Sequence, residues 1–402
     1  MAHAAADLTG HIASTAGATG ILEEEDMTLR TLLATTVALT FAGQALAQDF
    51  NDPAEFKKQR EQLSMTPQGP EGQPWAQHLG DGMVDTAKYK KDGQVTLCFS
   101  NAGVFNPWRV VGLNNLNAEA ELHKDRLKEL IVVDAEGKDD KQISDIEALV
   151  SGGKCDALIV SPNTTAALTP AVEAACGKLP VVVFDRGVNT SCPVTYIHPV
   201  GGYGFGITSG EFIASKLKKG DNVLALRIMP GVDVLETRYS AAKTIFDEAG
   251  INVIGSEFTG SDRAKTKSIV EDYINRGEKI DAVWMDAGDT ATAALEAFED
   301  AGLPYPVISG EDQQDFLRKW QSEKLTAIGP SYPTYQWRTA VIAALDVLDG
   351  KEVPGPEWVL PQPAITEDVL AKFVDERMPP LHYSLCGCQE LPGYPERWGG
   401  KK

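Results

Sequence analysis

The sequence predicts an α/β protein of two doubly wound parallel-sheet lobes joined by a hinge. From Gly93 onward, short β-branched runs alternate with amphipathic helical stretches, the pattern of parallel strands covered by helices on both faces. Ten such runs can be marked, many for one sheet of this kind. The alternation breaks at Pro199-Val200-Gly201-Gly202, turn residues that suit a lobe boundary. Residues 93–199 with 332–360 are assigned to an N-terminal lobe and 200–331 to a C-terminal lobe. Hinge crossovers are expected near His198–Gly201, Gly329–Ser331 and Val359–Pro361.

Strands in the first half are expected at Val95–Ser100, Leu130–Asp134, Ala157–Val160, Val181–Asp185 and Val194–His198. In the second half they are expected at Asn222–Ile228, Asn252–Phe258, Ala282–Met285, Val307–Ser309 and Thr326–Gly329. Helical spacing of apolar residues predicts Pro107–His123, Lys141–Ser151, Thr165–Cys176 and Tyr203–Lys218. It also predicts Leu235–Ala249, Arg263–Arg276, Thr290–Ala301 and Tyr335–Leu348. Asn106 before Pro107 is a good helix cap, and Asp312 is placed to cap a helix after it.

The segment Met27–Ala47 reads as an export signal. Arg30 gives it a positive start, Leu32–Ala42 is apolar apart from threonines, and Ala45-Leu46-Ala47 is a small-x-small cleavage pattern. The apolar run is shorter than the roughly 20 residues of a membrane span. Glu23-Glu24-Glu25-Asp26 has the wrong charge for the front of an export signal, so translation is expected to begin at Met27. Residues 1–47 are thus read as leader and signal peptide, and the rest is expected to work outside the cytoplasm. Residues 48–92 are polar with little periodicity and read as a loosely attached extension. Residues 361–402, rich in Pro, Gly and aromatics, read as an ordered irregular tail. The net charge of −20 would repel nucleic acid and anionic membranes, so neither is an expected partner.

An oxidising compartment favours pairing among the six cysteines. Cys176 and Cys192 flank one strand and its loop and are the best expected pair. Cys386 and Cys388 can form a small ring, and Cys98, within an apolar run, reads as a buried thiol. Cys-x-Cys near His382 lacks a second ligand pair at zinc spacing, so no metal is expected.

Several motifs now fall in a recognisable order. The first strand ends in Ser100-Asn101, and Asn106-Pro107-Trp108-Arg109 opens the first helix. Val183-Phe184-Asp185-Arg186 ends the fourth strand and Glu236-Thr237-Arg238 lies on a later helix. Asp262-Arg263-Ala264-Lys265, Asp286-Ala287-Gly288-Asp289 and Gly310-Glu311-Asp312 follow. From Gly93 to Pro354 the chain resembles the periplasmic binding proteins of bacterial ABC sugar importers, in the ribose and galactofuranose branch. The resemblance implies the type I periplasmic binding protein fold, a periplasmic location and a small carbohydrate held between the lobes. It further implies a permease of the inner membrane as partner, admits a chemoreceptor, and implies a monomer without cofactor.

The expected ligand residues are Ser100, Asn101, Phe105, Asn106, Trp108, Arg109, Asp185, Arg186, Arg238, Asp286, Asp289, Asp312 and Ser331. In doubly wound sheets ligands lie beyond the carboxyl ends of the strands, where Asp185, Arg186, Asp286 and Asp312 fall. Carboxylates accept sugar hydroxyls, arginine forks donate to oxygens, and aromatic rings such as Trp108 and Phe105 cover an apolar ring face. Compared with the ribose-type site, Ala287, Ser261 and Ser331 replace polar or aromatic residues and Arg109 replaces an aromatic. The pocket is thus expected to have lost ring surface and gained charge. That favours a polyol, another furanose, or a sugar acid paired with Arg109.

The alternative is an exported carbohydrate-active hydrolase, with Asp286 and Asp289 as acid and base. No G-x-S-x-G or H-E-x-x-H supports an enzyme, and no catalytic residue is expected. A sugar-responsive repressor would need a basic helix-turn-helix in front, where this chain has an export signal. The glycines of Gly201–Gly206 do not match dinucleotide-binding spacing.

Overall fold

A computed structural model describes residues 50–402. The leader, the export signal and its cleavage site lie outside the described residues. The chain enters through α1 (Pro53–Gln62), where Asp52 Oδ1 accepts hydrogen bonds from the amides of Ala54 (2.8 Å) and Glu55 (3.2 Å). A two-residue strand β1 (Met83–Val84) follows. The first lobe contains β2 (Val95–Asn101), α2 (Pro107–Leu122), β3 (Leu127–Asp134) and α3 (Asp139–Ser151). It continues through β4 (Ala157–Ser161), α4 (Thr165–Cys176), β5 (Val181–Phe184) and β6 (Thr195–Pro199).

The chain then crosses to the second lobe, with α5 (Gly202–Lys216), β7 (Asn222–Arg227), α6 (Asp233–Ala249), β8 (Asn252–Phe258) and α7 (Arg263–Asn275). There follow β9 (Ala282–Met285), α8 (Ala291–Asp300), β10 (Val307–Ser309), α9 (Gln314–Glu323) and β11 (Ala327–Pro330). It returns as α10 (Gln336–Asp349), β12 (Val353–Pro354) and β13 (Glu357–Leu360), then crosses a third time to place β14 (Ala364–Ile365).

Two six-stranded sheets result. One runs β13-β6-β5-β4-β2-β3 with all neighbours parallel. The other runs β14-β11-β10-β9-β7-β8 and is parallel except for the β11–β14 pair. Both have the doubly wound order expected, and the chain crosses between them after Pro199, Pro330 and Leu360. Most expected elements lie within three residues of the observed bounds; the exceptions absent from the reading are α1, α9 and the short strands β1 and β12–β14.

β2, β4 and β5 are buried along their whole length, as strands covered on both faces must be. Trp337 of α10 packs against Phe99 (ring centroids 5.7 Å apart) and Phe184 (5.0 Å). In the second lobe Trp284 donates its indole N–H to Ser209 Oγ at 2.8 Å. The glycines near residue 202 prove to be packing residues. Gly202, Gly206 and Gly210 recur every four positions and turn one face of α5 to α6. A Cβ on Gly206 would meet the Arg238 carbonyl oxygen at 2.1 Å.

The N-terminal extension is not loosely attached. Phe56 of α1 packs edge-on to Tyr203 of α5 (6.1 Å), Gln59 Oε1 accepts from the Gly204 amide (2.9 Å), and Lys58 pairs with Glu357 of β13 (3.2 Å). β1 pairs antiparallel with β12. Trp75 lies under the Arg338 guanidinium, 3.6 Å from its ring. The polar composition hid these anchors because isolated side chains and short backbone pairings, with no repeat along the segment, make them. The tail docks as well: Arg338 binds Gly387 O, and Trp398 donates to Asn115 Oδ1 at 2.9 Å.

All six cysteines are paired. Cys176–Cys192 and Cys386–Cys388 form as expected, the latter with His382 Nε2 3.7 and 3.8 Å from its sulfurs. Cys98 is not a thiol; it is bonded to Cys155. The two are 57 residues apart. They meet because Cys155 lies in the turn from α3 into β4, which runs beside β2.

Candidate functional site

A cavity of about 180 Å³ lies between the lobes, beyond the carboxyl ends of the strands. Eight of the expected residues line it: Phe105, Asn106, Trp108, Arg109, Asp185, Arg186, Arg238 and Asp289. Asn106 caps α2 by accepting from the Arg109 amide (2.9 Å), which orients Trp108 and Arg109 toward the cleft. Trp108 belongs both to the core and to the cavity wall. Its N–H donates to Tyr332 O (2.7 Å), its ring packs on Trp337 (5.6 Å), and one side lines the cavity.

Arg109 is 2% exposed and central to this wall. Its Nη2 donates to Asp185 Oδ2 (2.6 Å), and its Nη1 donates to Ser161 Oγ (3.2 Å) and Asn101 Oδ1 (3.3 Å). Burial lowers the guanidinium to about 10, with the Asp185 carboxylate opposing the fall. Asp185 sits at φ +69°, a strained conformation for a side-chain-bearing residue; Ser261, also in the wall, sits at φ +58°. Such outliers collect at binding sites, where the surrounding fold holds a side chain against its local preference.

Arg238 reaches in from α6, with its guanidinium over the rings of Phe205 (4.2 Å) and Tyr332 (4.8 Å). Its Nη1 donates to the Asp286 carbonyl and lies 3.7 Å from Glu311 Oε1. Among the described residues, two buried atoms of the wall have no hydrogen-bond partner: Arg238 Nε and Asp289 Oδ1.

Five expected residues do not line the cavity. Ser100 accepts from Gln142 Nε2 (3.3 Å), and Asn101 lies behind Arg109, donating to Asp134 (2.9 Å). Asp286 is fully buried and accepts the Ile228 amide at 2.9 Å, a support for the loop after β7. That also separates it from Asp289 as an acid–base pair across one substrate. Asp312 neither lines the cavity nor caps α9; its Oδ2 accepts the Leu385 amide of the tail (2.6 Å). The Ser331 hydroxyl donates to Pro363 O.

Residues missed from the sequence complete the wall. Glu311 lines it in place of its neighbour Asp312, since strand-end periodicity cannot say which of two adjacent carboxylates turns inward. Ile228, Met229, Val232 and Leu235 give an apolar face. Ring surface is restored by Tyr332 and by Tyr383, which comes from the tail. Spacing gave no signal for Tyr383.

Burial raises three carboxyls of the second lobe: Glu311 to about 8, Asp286 to about 7 and Asp312 to about 6. Asp289 is raised by the same cause. A carboxyl whose folded pKa is raised is favoured in its protonated form. Its contribution is complete below the unfolded value near 4 and is lost as pH rises through the folded value. The ligand-free protein should therefore melt higher at pH 5 than at pH 8.5, by on the order of 2–4 °C or more. Glu311→Gln should flatten this slope. A melting midpoint that is level or rises from pH 5 to pH 8.5 would count against these burial effects.

Two parallel-sheet lobes, three crossings between them, and a cavity walled by buried charges and aromatic rings define a two-lobed solute-binding protein. The comparisons agree: the chain belongs to the periplasmic binding protein domain family, whose model matches residues 70–352. It is 31% identical over 261 residues to the ribose import binding protein RbsB of Bacillus subtilis (strain 168), covering 65% of this chain and 84% of that one. The ribose import binding protein of Haemophilus influenzae is 27% identical over 263 residues, covering 65% and 88%.

Among solved structures, a solute-binding protein of Bacillus halodurans C-125 with bound myo-inositol has a TM-score of 0.62 at 21% identity, covering 70% of this chain and 98% of that one. The binding protein of the arabinose ABC transporter of Shewanella sp. ANA-3, bound to arabinofuranose, has a TM-score of 0.61 at 21% identity, covering 69% and 93%. These two share the fold.

Proposed function

We propose that the protein is an exported receptor that captures a small neutral carbohydrate, a sugar or polyol, between its lobes and delivers it unaltered to an ABC importer in the inner membrane. The observation that carries this reading is the pair of unpartnered buried atoms, Arg238 Nε and Asp289 Oδ1, on a wall that also presents aromatic rings. A buried polar atom without a partner is costly, and a ligand hydroxyl would relieve a donor and an acceptor alike. Three arginines and three carboxyl groups line the cavity, so it offers hydrogen-bond donors and acceptors together. Arg109 is already neutralised by Asp185, so it offers no free cation to a sugar acid. The relatives named as ribose import proteins support the carbohydrate class, and so does the export signal read in Met27–Ala47. Closure about the three crossings would present the permease with a ligand-dependent surface.

The test uses residues 48–402, stripped of ligand by partial unfolding and refolding, in thermal shifts against monosaccharides, polyols and sugar acids. A neutral sugar or polyol should raise the midpoint; at a hundred times its dissociation constant it adds about 2.7 kcal/mol. The ligand should be recovered chemically intact. Response to sugar acids alone would overturn the neutral-ligand reading, and a chemically altered ligand would favour the hydrolase.

A further inference from the structure

The family match ends at residue 352, yet the wall of the cavity is completed by a residue well beyond it. We propose that Tyr383 is a specificity-determining residue of the cleft: its ring limits the ligand to a single sugar or cyclitol ring, and its hydroxyl fixes the Glu311 carboxyl that faces that ligand. The inference rests on the carbohydrate reading above.

Tyr383 is held on both sides of the cleft. On the second lobe the tail runs as a short antiparallel partner of the segment before α9, with a bridge between Gln313 and Tyr383. The Gln314 amide donates to His382 O (3.0 Å) and the Ser384 amide donates to Asp312 O (2.9 Å). Three residues further on, the first lobe takes hold: Asn115 Nδ2 donates to Cys386 O at 2.9 Å, and Arg338 to Gly387 O. The tail therefore bridges the lobes beside the cavity, and the tyrosine cannot swing out without breaking contacts to one of them.

The phenol is equally constrained. It is 3% exposed, accepts from Gln313 Nε2 (2.8 Å) and donates to Glu311 Oε2 (3.2 Å). That leaves Glu311 Oε1 on the Arg238 side, 3.7 Å from Nη1. A ring locked by two polar contacts at its tip acts as a fixed wall. The cavity it helps bound, about 180 Å³, is below the roughly 300–1,000 Å³ of pockets that take drug-sized ligands.

The test measures calorimetric affinities of the wild type, Tyr383→Phe and Tyr383→Leu. D-ribose, L-arabinose, D-galactose and myo-inositol are the single-ring probes; lactose, melibiose and galactinol are the two-ring probes. The wild type should bind at least one single-ring probe and exclude the two-ring probes. Tyr383→Phe should keep that exclusion and lose up to about tenfold in affinity, the worth of one hydrogen bond. Tyr383→Leu should shift the ratio of two-ring to single-ring affinity by tenfold or more toward the larger ligands.

Wild-type affinity in Tyr383→Phe overturns the inference, as does a folded Tyr383→Leu protein with the wild-type affinity ratio. If Tyr383→Leu does not fold, the Phe variant decides. A wild type that binds two-ring probes as tightly as single-ring ones overturns the inference and leaves the carbohydrate reading standing. A wild type that binds none of the probes rejects both.

Discussion

Replacing Arg109 with methionine should destabilise the protein by roughly 3–5 kcal/mol, because it leaves the Asp185 carboxylate buried without its cation. Asp185 is 5% exposed, and among the described residues its Oδ2 keeps, apart from Arg109, only the Ser161 hydroxyl at 3.3 Å. The loss is therefore mostly the cost of an unpaired buried charge rather than the worth of the ion pair. The double variant Arg109→Met/Asp185→Asn separates the two. It removes both charges, and asparagine tolerates the positive φ at 185 better than most residues. Stability should return to within about 1–2 kcal/mol of the wild type, a coupling of the size seen for contacting residues. Ligand binding should be lost in both variants, since both alter the wall. Urea denaturation provides the measurement. Losses that simply add in the double variant would mean that the charges do not depend on each other.

The second large effect is expected far from any ligand atom. Alanine at Gly206 gains up to about 1 kcal/mol of helix propensity, which alone would stabilise α5. Its Cβ would nevertheless lie 2.1 Å from the Arg238 carbonyl oxygen and 2.8 Å from Ala241 Cβ. Backbone cannot rotate aside, so α6 must move; overpacking of this kind costs about 1–3 kcal/mol. Because α6 carries Arg238, the displacement should also weaken ligand binding. At Gly210 the nearest contacts are 3.1 and 3.2 Å, and alanine there should cost less. A Gly206→Ala protein as stable as the wild type, or no more affected than Gly210→Ala, would refute the close-packing account.

The glycine stripe shows how the same residues support different readings at different levels. In the sequence, the glycines of Gly201–Gly206 can only be set against a dinucleotide-binding turn, whose spacing they do not match. In the fold, the spacing of four between Gly202, Gly206 and Gly210 is the period of one helix face, and the neighbour on that face explains it. The charged residues at the strand ends teach a related lesson. Asp185, Arg186 and Asp289 line the cavity, at strand ends that hydrophobic runs locate. Asp286 and Asp312 do not line it, because the choice between adjacent side chains depends on the local backbone, which no periodicity reports. Arg109 lines the cavity, yet its charge is paired rather than free for a ligand. Only the approach of α2 to the end of β5 brings Asp185 to it, from 76 residues away.

What the sequence determined by itself is the two-lobed α/β architecture, the points where the chain crosses between lobes, and the helix and strand ends from which a site must be built. These follow from local rules: apolar periodicity, caps and turn residues act within a few positions of the chain. The Cys98–Cys155 bond, the docking of the N-terminal extension and the entry of Tyr383 into the cleft were decided by tertiary structure alone. Each depends on contacts between residues distant in sequence, made by isolated side chains that leave no repeating pattern. The family fold was legible from its rhythm, whereas the wall that the tail adds to the site follows from chain packing.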